Sequence, residues 1–142
     1  YVDGFVFTVP KKNLAQYKKM AQLGAKVWMD HGAVSYRECV GDDLKVKFGL
    51  PFTKLTKSKP SEIVCFSWIE YKSRAHRDKV NAKVMKDKRM ENGCDPNNPP
   101  FDMTKMAYGG FEVLVSEGML ARAKAVKYEK EGNLKKAVEL RL

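Results

Sequence analysis

Glu38 and His31 are the residues of this sequence best suited to moving a proton. Glu38 lies in the run "AVSYRECV", residues 33–40, on the same strand parity as Tyr36 and Val40. A carboxylate on an otherwise apolar strand face needs a partner for its charge, and it can act as a general base toward a small substrate. Arg74 or Arg77 is the expected ion-pair partner if Glu38 is purely structural. His31 falls in the last turn of a predicted helix, where a cation suits the helix dipole, and it is expected near the mouth between helix and sheet. Trp28, Tyr36, Trp68 and Tyr108 are candidates to line a pocket for a flat apolar ligand. Arg77 and Asn81 lie near Arg74 and Asp78 at helical spacing and are candidate polar contacts for the same ligand. Each residue also has a plainer reading. Aromatics at strand or helix spacing are usually core, and polar networks on a helix face are usually solvated or structural. His76, in a first helical turn, is expected to be exposed.

Other chemistries lack their residues. There is no phosphate-binding glycine loop, no nucleophile motif and no Cys/His metal spacing, so no metal site and no cofactor are expected. Cys39, Cys65 and Cys94 make an odd count. That argues against a disulfide framework and for a reducing, cytoplasmic setting. Cys39 and Cys65 are expected as small buried residues, and Cys94 as a loop thiol. No apolar run reaches the ~20 residues of a membrane span, and no signal peptide is expected. The net charge of +10 is spread along the 142 residues. It is compatible with a nucleic-acid-binding module, although a solvated Lys-rich surface is the favoured reading.

The elements that must position these residues follow from periodicity. Residues 1–10 read as a strand ended by Pro10. A helix follows, with Leu14, Tyr17, Ala21, Ala25 and Trp28 at helical spacing and Gly32 as a left-handed stop. Residues 33–40 form a second strand. Residues 44–61 form a Lys-rich excursion with a short edge strand or hairpin. The stretch "EIVCFSWIEY", residues 62–71, is a third strand, apolar on both parities. Ser73 caps a second helix over residues 74–86, with Ala75, Ala82 and Met85 on one stripe beside Val80 and Val84. The run "ENGCDPNNPPFD" is a loop. A last strand holds "KMAYGGFEVLV", with Gly109 and Gly110 marking a bulge or a close backbone approach.

The order strand, helix, strand, strand, helix, strand predicts an α+β, ferredoxin-like βαββαβ antiparallel sheet with two helices on one face. A half-wet antiparallel sheet should alternate cleanly. Strands apolar on both faces therefore predict a second copy packed on the free face, a homodimer. The domain is expected to span residues 1–116, followed by a C-terminal helical extension over residues 117–142. That tail is a rival cover for the free face.

Five blocks carry a family resemblance: "YVDGFV" at the start, "YRECVGDD" from Tyr36, "FSWIEYKSRAHRDKVNAKVM" from Phe66, "PFD" from Pro100 and "MAYGGFEV" from Met106. Together they resemble the YbaA-like family of small bacterial proteins of unknown function. The resemblance implies a dimeric α+β barrel, the assembly shared with antibiotic-biosynthesis-type monooxygenases. It departs at "KVKFGLPFTKL" and "RMENGCDPNN", and the tail has no counterpart. The resemblance brings no reaction with it. A cofactor-independent monooxygenase- or isomerase-like activity would rest on fold analogy alone. The functional expectation is a protein that binds, and in one version transforms, a small apolar or aromatic molecule between sheet and helices. The alternatives are nucleic-acid binding through the basic surface and a regulatory protein that docks through its tail.

Overall fold

The first strand, β1 (Val2–Pro10), runs through the middle of a four-stranded sheet. It pairs antiparallel with β3 (Glu62–Glu70) on one side and β4 (Ala107–Phe111) on the other. The strand β2 (Ser35–Val40) closes the far edge against β3, giving the order β2-β3-β1-β4. The computed structural model describes residues 1–93 and 95–118. The chain forms two compact units, Tyr1–Glu112 and Val113–Leu142, and all that follows concerns the first. Cys94 and the helix expected within residues 117–142 lie outside the described residues, save for 117 and 118.

Two helices cover one face of the sheet. α1 (Leu14–Asp30) follows a 3-10 turn, and α3 (Arg74–Met85) starts at Ser73, whose side chain accepts from the His76 amide as expected of a cap. Gly32 leaves α1 with a φ of 105°, a conformation that favours glycine. Strand pairing puts Phe5 opposite Ser67, and Ser67 opposite Glu38. Phe5, Phe7, Ser67, Ile69, Tyr36 and Glu38 therefore share the helix-covered face. Two apolar clusters form there. One joins Val27, Ile69, Tyr71, Val80 and Val84, and the other joins Phe7, Val9, Tyr17, Cys65 and Phe101.

Several local expectations change. α3 buries Val80 and Val84 and leaves Ala75, Ala82 and Met85 exposed. An alanine-rich stripe offers little apolar area, so the two valines decide which face docks. The excursion after β2 holds no strand. It folds into the short helix α2 (Phe52–Thr56), entered through Pro51 and ended by Lys57 in the left-handed region. α2 packs against β1 and β3 on the sheet's other face, where Thr8 and Val64 are buried. Part of the second apolar face is thus covered from within the chain. Asp87 caps another short helix, α4 (Lys88–Asn92), which takes in the first two residues of the expected loop. Val40 is exposed at the end of its edge strand. The glycine pair in β4 makes no bulge, because pairing with β1 is continuous from Ala107 to Phe111. Gly110 marks a close approach instead: a Cβ there would collide with the Tyr1 ring.

Candidate active site

Glu38 lies at the wall of a cavity of about 270 Å³ between α1 and the sheet. Phe5, Phe7, Ser67 and Ile69 form the floor. Tyr17, Met20, Leu23 and Trp28 of α1 form the roof. Met90, Phe101, Met103 and Met106, from the segment between α3 and β4, close one side. Gly24 is buried where α1 passes over Tyr36. A Cβ at this position would sit 3.1 Å from Tyr36 Oη, so the glycine allows a closer approach than alanine at a helix-propensity cost of about 1 kcal/mol.

Both carboxylate oxygens of Glu38 accept hydrogen bonds from phenols. Tyr17 Oη donates to Oε2 at 2.7 Å, and Tyr36 Oη donates to Oε1 at 2.8 Å. Burial first, and then Glu38 itself, push both phenols well above their ordinary range. Both hydroxyls therefore stay protonated and remain donors. The expected ion pair of Glu38 with Arg74 or Arg77 does not form. Arg77 is engaged by Asp3 and Asp78, at 2.7 Å each.

A second opening meets the same carboxylate from outside. A groove of about 510 Å³ runs between α1 and the edge strand β2, lined by Leu14, Lys18, Gln22, Ala25, Cys39 and Val40. Tyr17, Ala21, Tyr36 and Glu38 line both spaces. The two tyrosines and the glutamate thus form the partition between an apolar interior and an open groove. Glu38 thus borders both spaces.

The remaining candidates separate. Trp28 borders the cavity, but its Nε1 donates away from it, to Asn81 Oδ1 at 3.1 Å. Asn81 also accepts from Tyr71 Oη at 3.1 Å, so it ties α1, α3 and the residue that follows β3 together behind the cavity wall. His31 is not at the cavity. It follows α1 and pairs with Asp87 at 2.7 Å, and Arg89 bridges Asp87 to Asp30. That cluster holds α4, and with it Met90, against the end of α1. His76 Nδ1 accepts from the Lys72 amide. Trp68 faces the opposite side of the sheet, where it lines a depression with Phe66 and Phe111. Tyr108 stacks on Phe5 at 6.1 Å and is 72% exposed on the edge strand. Tyr17 is the site residue that sequence reasoning missed. Its one signal was a polar tip on an apolar stripe. Among the described residues, no group of three or more His, Cys, Asp or Glu side chains is arranged to hold a metal, and no helix is long and apolar enough to cross a membrane.

Cys65 lies opposite Phe7 on the cavity face of the sheet. Burial, and then Glu38, push its thiol up to about 11. An unfolded thiol ionises near 8.5. This group's contribution to stability is therefore complete below about pH 8.5 and is lost as the pH rises toward 11. At pH 8 the folded protein should leave Cys65 unalkylated by iodoacetamide, as read by peptide mapping, while urea-unfolded protein is labelled there. Equal labelling in the two states would contradict the burial.

Residues 1–103 match the family described as "Protein of unknown function (DUF1428)". The chain belongs to the DUF1428 family. It is also 39% identical over 117 residues to "Uncharacterized protein YbaA" of Escherichia coli (strain K12), covering 82% of this chain and 98% of the relative. The same figures hold for the YbaA protein of Shigella flexneri. The DUF1428 match spans β1 through α4 and includes Glu38, Tyr17 and Tyr36. It ends at Met103, ahead of β4 and Met106.

Proposed function

We propose that this chain binds a small, largely apolar molecule in the cavity beneath α1, with Glu38 holding its polar end and placed to accept a proton from it. The observation that carries this reading is a single carboxylate at the wall of an otherwise apolar cavity, reached from a solvent groove on its other side. A volume of about 270 Å³ lies just below the ~300–1,000 Å³ of pockets for drug-sized ligands, which suits a small aromatic compound. Four methionines in the lining give it an adaptable wall. They also supply the test. With methyl-13C methionine, indole or phenol should shift the NMR signals of Met20, Met90, Met103 and Met106 and spare Met29 and Met85, which lie outside the cavity. Shifts that spread evenly over all methionines, or none at millimolar ligand, would end the reading.

The functional unit in this proposal is a homodimer of ferredoxin-like protomers. The strand order β2-β3-β1-β4, with α1 and α3 on one face, supports that topology. The free face supports the dimer. Phe66 is 42% and Phe111 61% exposed there, beside Val2, Val6 and Trp68. Ring contacts run from Trp68 to Phe66 and on to Phe52 of α2. By strand register the sheet's charged residues on this face are Arg37 on the edge strand and Glu62 and Glu70 at the two ends of β3. A second copy related by a twofold axis offers the same apolar face in return, which no polar partner does. Sedimentation at micromolar concentration should give twice the 16.2 kDa chain mass, and Phe66→Asp should give the single mass. A wild-type monomer would refute the assembly and leave the cavity reading intact.

A further inference from the structure

We infer that the cavity beneath α1 is selective for a protonated amine, an organic cation whose ammonium group meets the Glu38 carboxylate while its apolar body fills the aromatic and methionine-lined space. This rests on the ligand-binding reading above and adds the chemical class of the ligand.

Donors and acceptors at the cavity wall decide the class of ligand. A carboxylate offers about four lone-pair positions. Glu38 spends one on Tyr17 and one on Tyr36, which leaves about two. Each phenol has one proton, and both protons go to Glu38. The tyrosines therefore present only their oxygen lone pairs to a newcomer. Trp28 has likewise committed its N–H to Asn81. Of the described lining side chains, Ser67 alone keeps a hydroxyl proton that no described hydrogen bond uses. Among the described residues the lining contains no Lys, Arg or His. The wall thus shows acceptors, one negative charge and the rings of Phe5, Phe7, Trp28 and Phe101.

Each ligand class fares differently against such a wall. A carboxylate or phosphate would set acceptor against acceptor and charge against like charge, in a site where burial weakens screening. A neutral hydroxyl supplies one donor. An ammonium supplies three donors and the opposite charge, so its hydrogen bonds to Glu38 are charge-assisted. The aromatic walls also attract a cation through their ring faces. The net charge of +10 does not reverse this preference. Surface charges are screened over about 8 Å at physiological salt, whereas the carboxylate acts at hydrogen-bonding distance.

Three probes of nearly one shape test the inference on the 142-residue chain: 2-phenylethylamine, 2-phenylethanol and 3-phenylpropionate. Binding is read by the shifts of the four lining methionines and by calorimetry at pH 7. The amine should bind at least about tenfold more tightly than the alcohol, and the carboxylate most weakly. In Glu38→Gln the alcohol should still bind while the amine loses its advantage. The wild-type ranking decides the matter even if that variant fails to fold. An alcohol that matches the amine, or an advantage that survives Glu38→Gln, overturns the inference and spares the cavity reading. Failure of all three probes to shift the lining methionines overturns both.

Discussion

Phe7→Ala should destabilise the protein by about 3 kcal/mol, a large share of the ~5–15 kcal/mol that holds a domain of this size together. Phe7 is almost wholly buried in β1. Its ring stacks on Phe101 at 4.8 Å and meets the edge of Tyr17 at 5.4 Å, and Tyr17 in turn meets Phe101 at 5.6 Å. These three rings join α1, β1 and the segment before β4, so losing one loosens three elements. Burial of a Phe in a close-packed core costs about 3–5 kcal/mol to remove. The lower figure applies because Phe7 also lines the cavity, so part of its surface faces space and not packed atoms. Phe7→Leu, which keeps most of the volume, should cost about 1 kcal/mol. Urea unfolding followed by fluorescence measures both. A loss under about 1 kcal/mol for the alanine variant would mean that the ring trio does not hold α1 to the sheet.

The second large effect is expected at Arg77. Its Nη1 donates to Asp3 Oδ1 at 2.7 Å, and its guanidinium lies 5.0 Å from the centre of the Tyr1 ring. Asp3 is buried at the start of β1, and Arg77 is largely covered on α3. Arg77→Met keeps the apolar stem and strands the Asp3 carboxylate. Breaking a fully buried pair costs about 3–5 kcal/mol. Some solvent reaches both groups here, so about 2–3 kcal/mol is expected. Asp3→Asn in the Arg77→Met background removes the stranded charge and should restore more than half of the loss. If the double variant is as unstable as the single one, the cost lies in lost packing around Tyr1 and not in the charge.

Alternation and capping made much of the framework legible from the chain. β1 and β3 declared themselves by β-branched and aromatic runs, α1 by its apolar spacing, and α3 by Ser73. These signals are local, set by backbone geometry and solvent within a few residues. Family membership was legible for the same reason, since the five blocks are contiguous stretches. Glu38 was recognisable as a carboxylate out of place on an apolar strand parity.

Tertiary structure alone decided what Glu38 does there. Tyr17 is 21 residues away on a helical stripe that reads as plain core, and it reaches the carboxylate only because α1 crosses β2 at Gly24. The choice between an arginine and two phenols as partners turned on Asp3, which lies 74 residues before Arg77 and claims its guanidinium. Trp28 and Trp68 looked like members of one pocket, yet strand register sends Trp68 through to the opposite face. α2 closes over Thr8 and Val64, although its sequence reads as an excursion. Periodicity reports which side of an element is apolar. It cannot report which other element arrives on that side, because that depends on long-range pairing and on the total apolar area the chain manages to bury.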